Sequence, residues 1–157
     1  MRCSRLVAPV AVCAVLALAY GPVRAEQRPA EEIRPRVEHH LRAADDLAQH
    51  FEAVVAADCR KFDSRDAWNV YFDGEVERVV LMMAHLEEAW AEAKRTGDDD
   101  VRRAAKAPRR RVEEARALVG KLQRCANGHG TSFSPTGLWR RIEREVPLRQ
   151  SDVALPR

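Results

Sequence analysis

Five apolar residues in succession, VVLMM at residues 79–83, limit the folds open to this chain more than any other feature. Neighbouring residues of an α-helix are about 100° apart around its axis, so five of them surround the helix completely. A helix that is apolar on every side has to be covered by other parts of the protein on several sides. Residues 68–93 are therefore predicted to form the central helix of a helical bundle. Because Gly74 weakens a helix by about 1 kcal/mol, its regular part is expected to begin at Asp73.

Apolar residues also recur at spacings of three and four on both sides of this segment, which is the pattern of amphipathic helices. One such pattern covers residues 35–62, and another covers residues 101–125 with an interruption at Pro108, which cannot donate a helical hydrogen bond. A shorter one covers residues 135–146. The sequence therefore predicts an all-α fold, with three long antiparallel helices in an up-down-up bundle and a short C-terminal helix over one end.

The first 25 residues have the layout of a secretory signal peptide. Arg2 and Arg5 precede an apolar run over residues 6–19, and Ala25 is a small residue suited to cleavage. As a helix this run is about 21 Å long, shorter than the hydrocarbon core of about 30 Å, so a membrane anchor is disfavoured and no transmembrane helix is expected after cleavage. The predicted division of the chain is a signal peptide over residues 1–25, a helical bundle domain over residues 26–146 and a flexible C-terminal tail over residues 147–157.

The charge that remains after cleavage argues against nucleic acid as a partner. The whole chain has 27 lysines and arginines against 24 aspartates and glutamates, but three of the arginines and none of the acids lie in the predicted leader. The remaining chain is therefore close to neutral and offers a nucleic acid no excess of positive charge. We expect a periplasmic or secreted protein whose partner is another envelope protein or a second copy of itself.

Two cysteines remain after cleavage, Cys59 and Cys125, because Cys3 and Cys13 lie in the leader. An even pair in an exported protein is predicted to form a disulfide, and two free thiols are the alternative. In an up-down-up bundle, Cys59 near the end of the first helix and Cys125 near the end of the third lie at the same end of the molecule. The predicted fold therefore allows the bond to form.

The segment from Cys125 to His129 resembles the attachment motif of c-type haem, C-x-x-C-H. Its place at the end of a late helix in an exported bundle is similar to that in the four-helix cytochromes of the c-prime and b562 kind. The resemblance implies a haem held through Cys125 and His129, but Gly128 stands where the motif has its second cysteine. The other interpretation is a helix end with a glycine-rich stop, and we expect no bound cofactor.

Several histidines and acids lie one turn apart on the predicted helices, as the ligands of a metal ion would. Asp46 and His50 form one pair, His85 and Glu88 form another, and Met82 adds the sulfur that copper favours. No H-x-x-x-H or H-E-x-x-H motif occurs, so a site would need ligands from two helices. Adjacent His39 and His40 point in different directions and are expected to be solvated. The candidate ligands are Asp46, His50, Met82, His85, Glu88 and His129.

The sequence contains no nucleophile elbow, no phosphate-binding glycine loop and no zinc-hydrolase helix. The predicted packing covers two sides of the central helix, which leaves apolar side chains at Val80, Leu81 and Met82 for a partner. The sequence thus predicts an exported, non-enzymatic helical-bundle protein of the cell envelope that serves as a binding or structural module. The alternative is a periplasmic metal- or haem-binding carrier or sensor of the four-helix cytochrome-like kind.

Overall fold

The computed structural model describes residues 27–156 except the side chain of Arg109, and all of their regular structure is helical. The predicted all-α class is confirmed. The predicted signal peptide lies outside the described residues, and the domain boundaries at residues 25 and 146 stay predictions. None of the described helices is both long and apolar enough to cross a membrane. The elements, in chain order, are α1 (Ala30–Ala56), α2 (Arg65–Ala93), α3 (Asp99–Lys106), α4 (Arg109–Ala126), a short 3-10 turn (Asn127–His129) and α5 (Pro135–Val153).

The places where helices begin or break follow from local chemistry. Ser64 caps α2, because its Oγ accepts a hydrogen bond from the backbone N–H of Ala67 at 3.1 Å. Ser134 caps α5 in the same way, and Pro135 occupies a first-turn position where its missing N–H has no helical partner to lose. Pro108 separates α3 from α4, as predicted, since proline cannot continue the ladder of hydrogen bonds.

We expect Ser64→Ala to lower the free energy of unfolding by about 1 kcal/mol, because the N–H of Ala67 loses the oxygen that accepts its hydrogen bond. Urea unfolding followed by far-UV circular dichroism measures this loss. Ser132→Ala is the matched control, since Ser132 is exposed in the loop before α5 and its replacement should change stability by less than about 0.5 kcal/mol. Equal losses in the two variants would contradict the cap.

The central helix α2 begins earlier than expected. It starts at Arg65 rather than at Asp73 and continues through Gly74 without a break. Trp68, in its first turn, is only 2 % exposed, because its ring packs into the core. Burial of that ring and the cap at Ser64 stabilise the turns that precede the glycine, so its cost does not end the helix.

Contacts between helices fix how α1 lies against α2. Near the start of α1, Nη2 of Arg36 lies 2.8 Å from Oε1 of Glu92, which is near the end of α2. Further along α1, Nε2 of His50 lies 2.8 Å from Oε2 of Glu75, which is toward the start of α2. The two helices therefore run in opposite directions where they touch. On the remaining sides, α4 packs against α1 and α5 packs against α2.

The C-terminal helix is longer than predicted. α5 has 19 residues and continues through Pro147 to Val153, so the prediction of a short helix ending at residue 146 is wrong. It lies along α2, with Arg149 and Glu77 forming an ion pair at 2.9 Å, rather than over one end of the molecule. Apolar burial against α2 offsets the roughly 3 kcal/mol that a proline costs inside a helix. The side chains that α5 buries are Leu138, Ile142 and Val146.

The partner surface predicted at Val80, Leu81 and Met82 is not an exposed patch. Val80 and Met82 have 0 % exposure, and Leu81 is partly buried. They were left uncovered in the prediction because the C-terminal helix was expected to be short, whereas α5 shares a core cluster with Val80 and Met82. The structure therefore removes the reason for placing a partner there. The largest buried side chains of that cluster include Phe51, Met82, Leu118, Leu122 and Ile142.

Candidate functional site

The predicted disulfide between Cys59 and Cys125 is present. Cys59 lies in the segment between α1 and α2, and Cys125 lies in the last turn of α4. Their Cα atoms are 5.4 Å apart, within the usual range for this bond. Cys125 is only 6 % exposed, whereas Cys59 is exposed, so the bond lies where the core meets the surface. The bridge thus ties the end of α4 to the segment that leaves α1.

His129 is part of an aromatic cluster next to this bridge. Its ring stacks on that of Trp68, with centroids 4.6 Å apart and planes 13° apart. Its Nε2 lies 3.1 Å from the backbone carbonyl oxygen of Arg60, to which it donates a hydrogen bond. Both residues of the haem resemblance therefore have other partners: Cys125 is in a disulfide and His129 packs against an indole. The haem interpretation has no support from this geometry.

His50 pairs with Glu75 across α1 and α2, while its predicted partner Asp46 is exposed. Its Nε2 donates to Oε2 of Glu75 at 2.8 Å, and Nη1 of Arg78 lies 3.3 Å from the other carboxylate oxygen. Glu75 is 2 % exposed, so these two donors satisfy a buried carboxylate. These residues line a cavity of about 580 Å³ together with Tyr71. Burial, helped by the charge of Glu75, raises the pKa of the Tyr71 phenol. This constellation holds two helices together.

Three histidines, His39, His40 and His85, come together between α1 and α2, and we call them the histidine cluster. The Nδ1 atoms of His40 and His85 lie 3.1 Å apart, so one ring donates a hydrogen bond and the other accepts it. The ring centroid of His39 lies 5.3 Å from that of His40 and 6.4 Å from that of His85. His40 has 0 % exposure, and its Nε2 has no hydrogen-bond partner among the described residues. The expectation of a solvated side chain is wrong for His40, whereas His39 is exposed.

Two rings of the histidine cluster, those of His40 and His85, are neutral at pH 7. Burial is the main reason that the pKa of His40 falls from 6.5 to about 4, and the imidazoles of His85 and His39 lower it further. Burial also lowers the pKa of His85. The adjoining pair of Arg36 and Glu92 is ionised: burial alone would raise the pKa of Glu92, but the hydrogen bond and charge of Arg36 hold it below its usual value. Neutral imidazole is the form that binds metal ions.

The other predicted metal ligands do not gather around one point. Met82 is wholly buried in the apolar core, Asp46 is exposed, and Glu88 is partly buried at a place where burial raises the pKa of its carboxyl. Within residues 27–156, no three side chains of histidine, cysteine, aspartate or glutamate are already arranged to hold a metal ion. The closest approach to such an arrangement is the two-nitrogen contact in the histidine cluster.

Sequence reasoning missed the contact between His40 and His85 because these residues are 45 positions apart. The signal that would have found it is the antiparallel register of α1 and α2. Arg36 lies opposite Glu92, and because the helices are antiparallel, residues further along α1 lie opposite earlier residues of α2. His40 is one turn after Arg36 on α1, and His85 is two turns before Glu92 on α2.

A groove of about 470 Å³ lies between α4 and α5. The guanidinium carbon of Arg116 lies 4.7 Å from the ring centroid of Trp139, which is a cation–π contact that closes one side of it. Val119 adds apolar surface, and Arg140 and Glu143 add charges of both signs. This lining does not select one class of ligand by its charge.

The chain matches no protein-family model, no curated protein and no solved structure. What can be inferred about its function comes from its own residues, above all from Cys59, Cys125 and the histidine cluster.

Proposed function

We propose that this chain is exported across a membrane, loses residues 1–25 and serves in the cell envelope as a binding or structural module rather than as an enzyme. The observation that carries the proposal is the disulfide between Cys59 and Cys125, because such bonds form and persist in oxidising compartments. The N-terminal sequence supports it independently, since basic residues, an apolar run and a small residue follow one another as in a signal peptide.

The described helices, in this proposal, form one up-and-down bundle, with α3 and α4 together as its third member and α5 as its fourth. The antiparallel contacts of α1 with α2 support this arrangement. So do the ion pairs of Asp73 with Arg141 and of Glu77 with Arg149, because they require α5 to run in the same direction as α2. The disulfide closes one end of the bundle. At the other end, Arg36 donates hydrogen bonds to the carbonyl oxygens of Leu155 and Pro156, which ties the residues after α5 to α1.

The buried charges of α2 support a structural or binding role. Glu92 accepts hydrogen bonds from Arg36 at 2.8 Å and from Arg95 at 2.9 Å, and Glu75 is held by His50 and Arg78. Removing one partner of such a group leaves a buried charge uncompensated, which is strongly destabilising. These contacts therefore specify how α1 packs on α2, and both buried carboxylates are already occupied by partners within the fold.

Expression of the full chain in a bacterium, followed by osmotic shock, tests export. We expect the protein in the periplasmic fraction, with an N-terminus at Glu26, because Ala25 provides the small residue that precedes cleavage. Its intact mass should be lower than that of the reduced chain by two hydrogen atoms, as one disulfide requires. N-terminal sequencing and mass spectrometry of the same fraction give both results.

The matched control carries Leu16→Arg and Leu18→Arg, which place two charges in the apolar run of the leader. This variant should stay in the cytoplasmic fraction, uncleaved and with reduced cysteines, since a charged run is no longer read as a signal peptide. If the unaltered chain behaves like this variant, the proposal of export is wrong.

A further inference from the structure

Three of the five histidines in the chain belong to the histidine cluster. The other two are engaged elsewhere, one with a buried carboxylate and one with a tryptophan ring. Inside the cluster, by contrast, an imidazole nitrogen of His40 faces an imidazole nitrogen of His85. The two rings belong to different helices, which are held in register by the adjoining pair of Arg36 and Glu92.

The distance between these two nitrogens is close to that of two ligands of one metal ion. Zn²⁺ binds imidazole nitrogen at about 2.0–2.1 Å, and two such bonds at a tetrahedral angle place their nitrogens about 3.3 Å apart. Two bonds of about 2 Å at a right angle, as in the tetragonal geometry of Cu²⁺, place them about 2.8 Å apart. The Nδ1 atoms of His40 and His85 are 3.1 Å apart, between these two values. We propose that His40 and His85 bind a divalent transition-metal ion between α1 and α2, with His39 turning inward as the third ligand.

The neighbouring chain segments allow an ion to enter and to be held. His40 is wholly buried, but His39 is exposed and His85 is only partly buried, so an ion can approach from the side of these two rings. The positive charge of Arg36 is compensated by Glu92 at 2.8 Å, which reduces its repulsion of a cation. Glu88 lies one turn after His85 on the same helix and adds a carboxylate to this part of α2.

Among divalent ions, Cu²⁺ is the one that this ligand set favours. Imidazole suits copper, zinc, nickel and iron, and the affinity of a nitrogen site along this series is highest for Cu²⁺. Cu²⁺ also reports its own ligands, because its electron paramagnetic resonance spectrum shows splitting from each bound nitrogen. It is therefore both the expected ion and the most informative probe.

The test is a titration of the metal-free full chain with Cu²⁺ at neutral pH, followed by calorimetry and electron paramagnetic resonance. We expect one ion per chain and splitting from at least two nitrogens. Loss of a residue that merely supports a ligand weakens metal binding by about 10–100-fold, so loss of a direct ligand in His85→Gln should weaken it at least tenfold. His39→Gln, at an exposed position, should also weaken it and should lose one nitrogen from the spectrum.

His129→Gln is the matched control, because it removes a histidine that stacks on Trp68 near the start of α2, whereas the cluster lies toward the end of that helix. It should leave the copper affinity unchanged. The inference is overturned if neither His85→Gln nor His39→Gln lowers the affinity, if His129→Gln lowers it equally, or if the spectrum shows no bound nitrogen. Should His85→Gln lose its helical circular dichroism, the exposed His39→Gln variant decides the outcome. The result does not depend on export, because all measurements are made on purified protein.

Discussion

Replacing both cysteines, as Cys59→Ala with Cys125→Ala, should lower the free energy of unfolding by roughly 4 kcal/mol. The bond closes a loop of 66 residues, and its removal lets the unfolded chain explore conformations that the bridge forbids. Such a loss is a large share of the 5–15 kcal/mol or so that stabilises a typical domain. Urea unfolding of the two proteins under non-reducing conditions measures it through the shift in midpoint.

Reduction distinguishes the bridge from the packing of the two side chains. Dithiothreitol should destabilise the unaltered protein by a similar amount and should have no effect on the variant, which has no bond to reduce. Unaltered and variant proteins that unfold at the same urea concentration without reductant would show that the bridge contributes nothing to stability.

Acidification of the metal-free protein should cost roughly 3 kcal/mol of stability between pH 6.5 and pH 4 through His40 alone. The pKa of His40 is lowered from 6.5 in the unfolded chain to about 4 in the fold, first because it is buried and then because His85 and His39 adjoin it. Between these two values the unfolded chain binds the proton and the native chain does not. The stabilisation is therefore complete above pH 6.5 and is lost as the pH falls toward 4. Arg36 lowers this pKa further, whereas the charge of Glu92 opposes the shift.

Urea midpoints measured in the presence of a chelator, at pH 7 and at pH 4.5, give the size of this loss. His40→Gln should remove most of it, because glutamine does not titrate, and the part that remains comes from other groups whose pKa is lowered, among them His85 and Glu92. Ser132→Ala should keep the pH dependence, since Ser132 is exposed in the loop before α5 and does not titrate. An unaltered pH dependence in His40→Gln would mean that this ring is not the group that takes up the proton.

The elements that could be predicted depend on local patterns. The spacing of apolar residues by threes and fours predicted helices on both sides of α2, and Pro108 predicted the break between α3 and α4, because proline cannot continue a helix. The disulfide was predictable from two features of the sequence, a leader with the layout of a signal peptide and a single pair of cysteines after it, Cys59 and Cys125. With only two cysteines after the leader, each can pair only with the other within one chain.

The features that could not be predicted depend on contacts between helices. Pro147 was predicted to end α5, because proline disrupts a helix. The helix instead continues to Val153, because its apolar side packs on α2. A local sequence pattern does not show that packing. The same error left Val80 uncovered in the prediction. The contact between His40 and His85 requires a particular register of α1 against α2, and the spacing of residues within either helix does not encode that register.

The most direct test of the whole account is a tryptic digest, without reduction, of the protein recovered from the periplasm. Cleavage after arginine should release residues 43–60, which contain Cys59, and residues 125–140, which begin with Cys125. A single cross-linked species with the summed mass of these two peptides, less two hydrogens, is the predicted result. Recovery of the two peptides as separate thiols, or of Cys59 joined to any other cysteine, would contradict an exported bundle closed between α1 and α4.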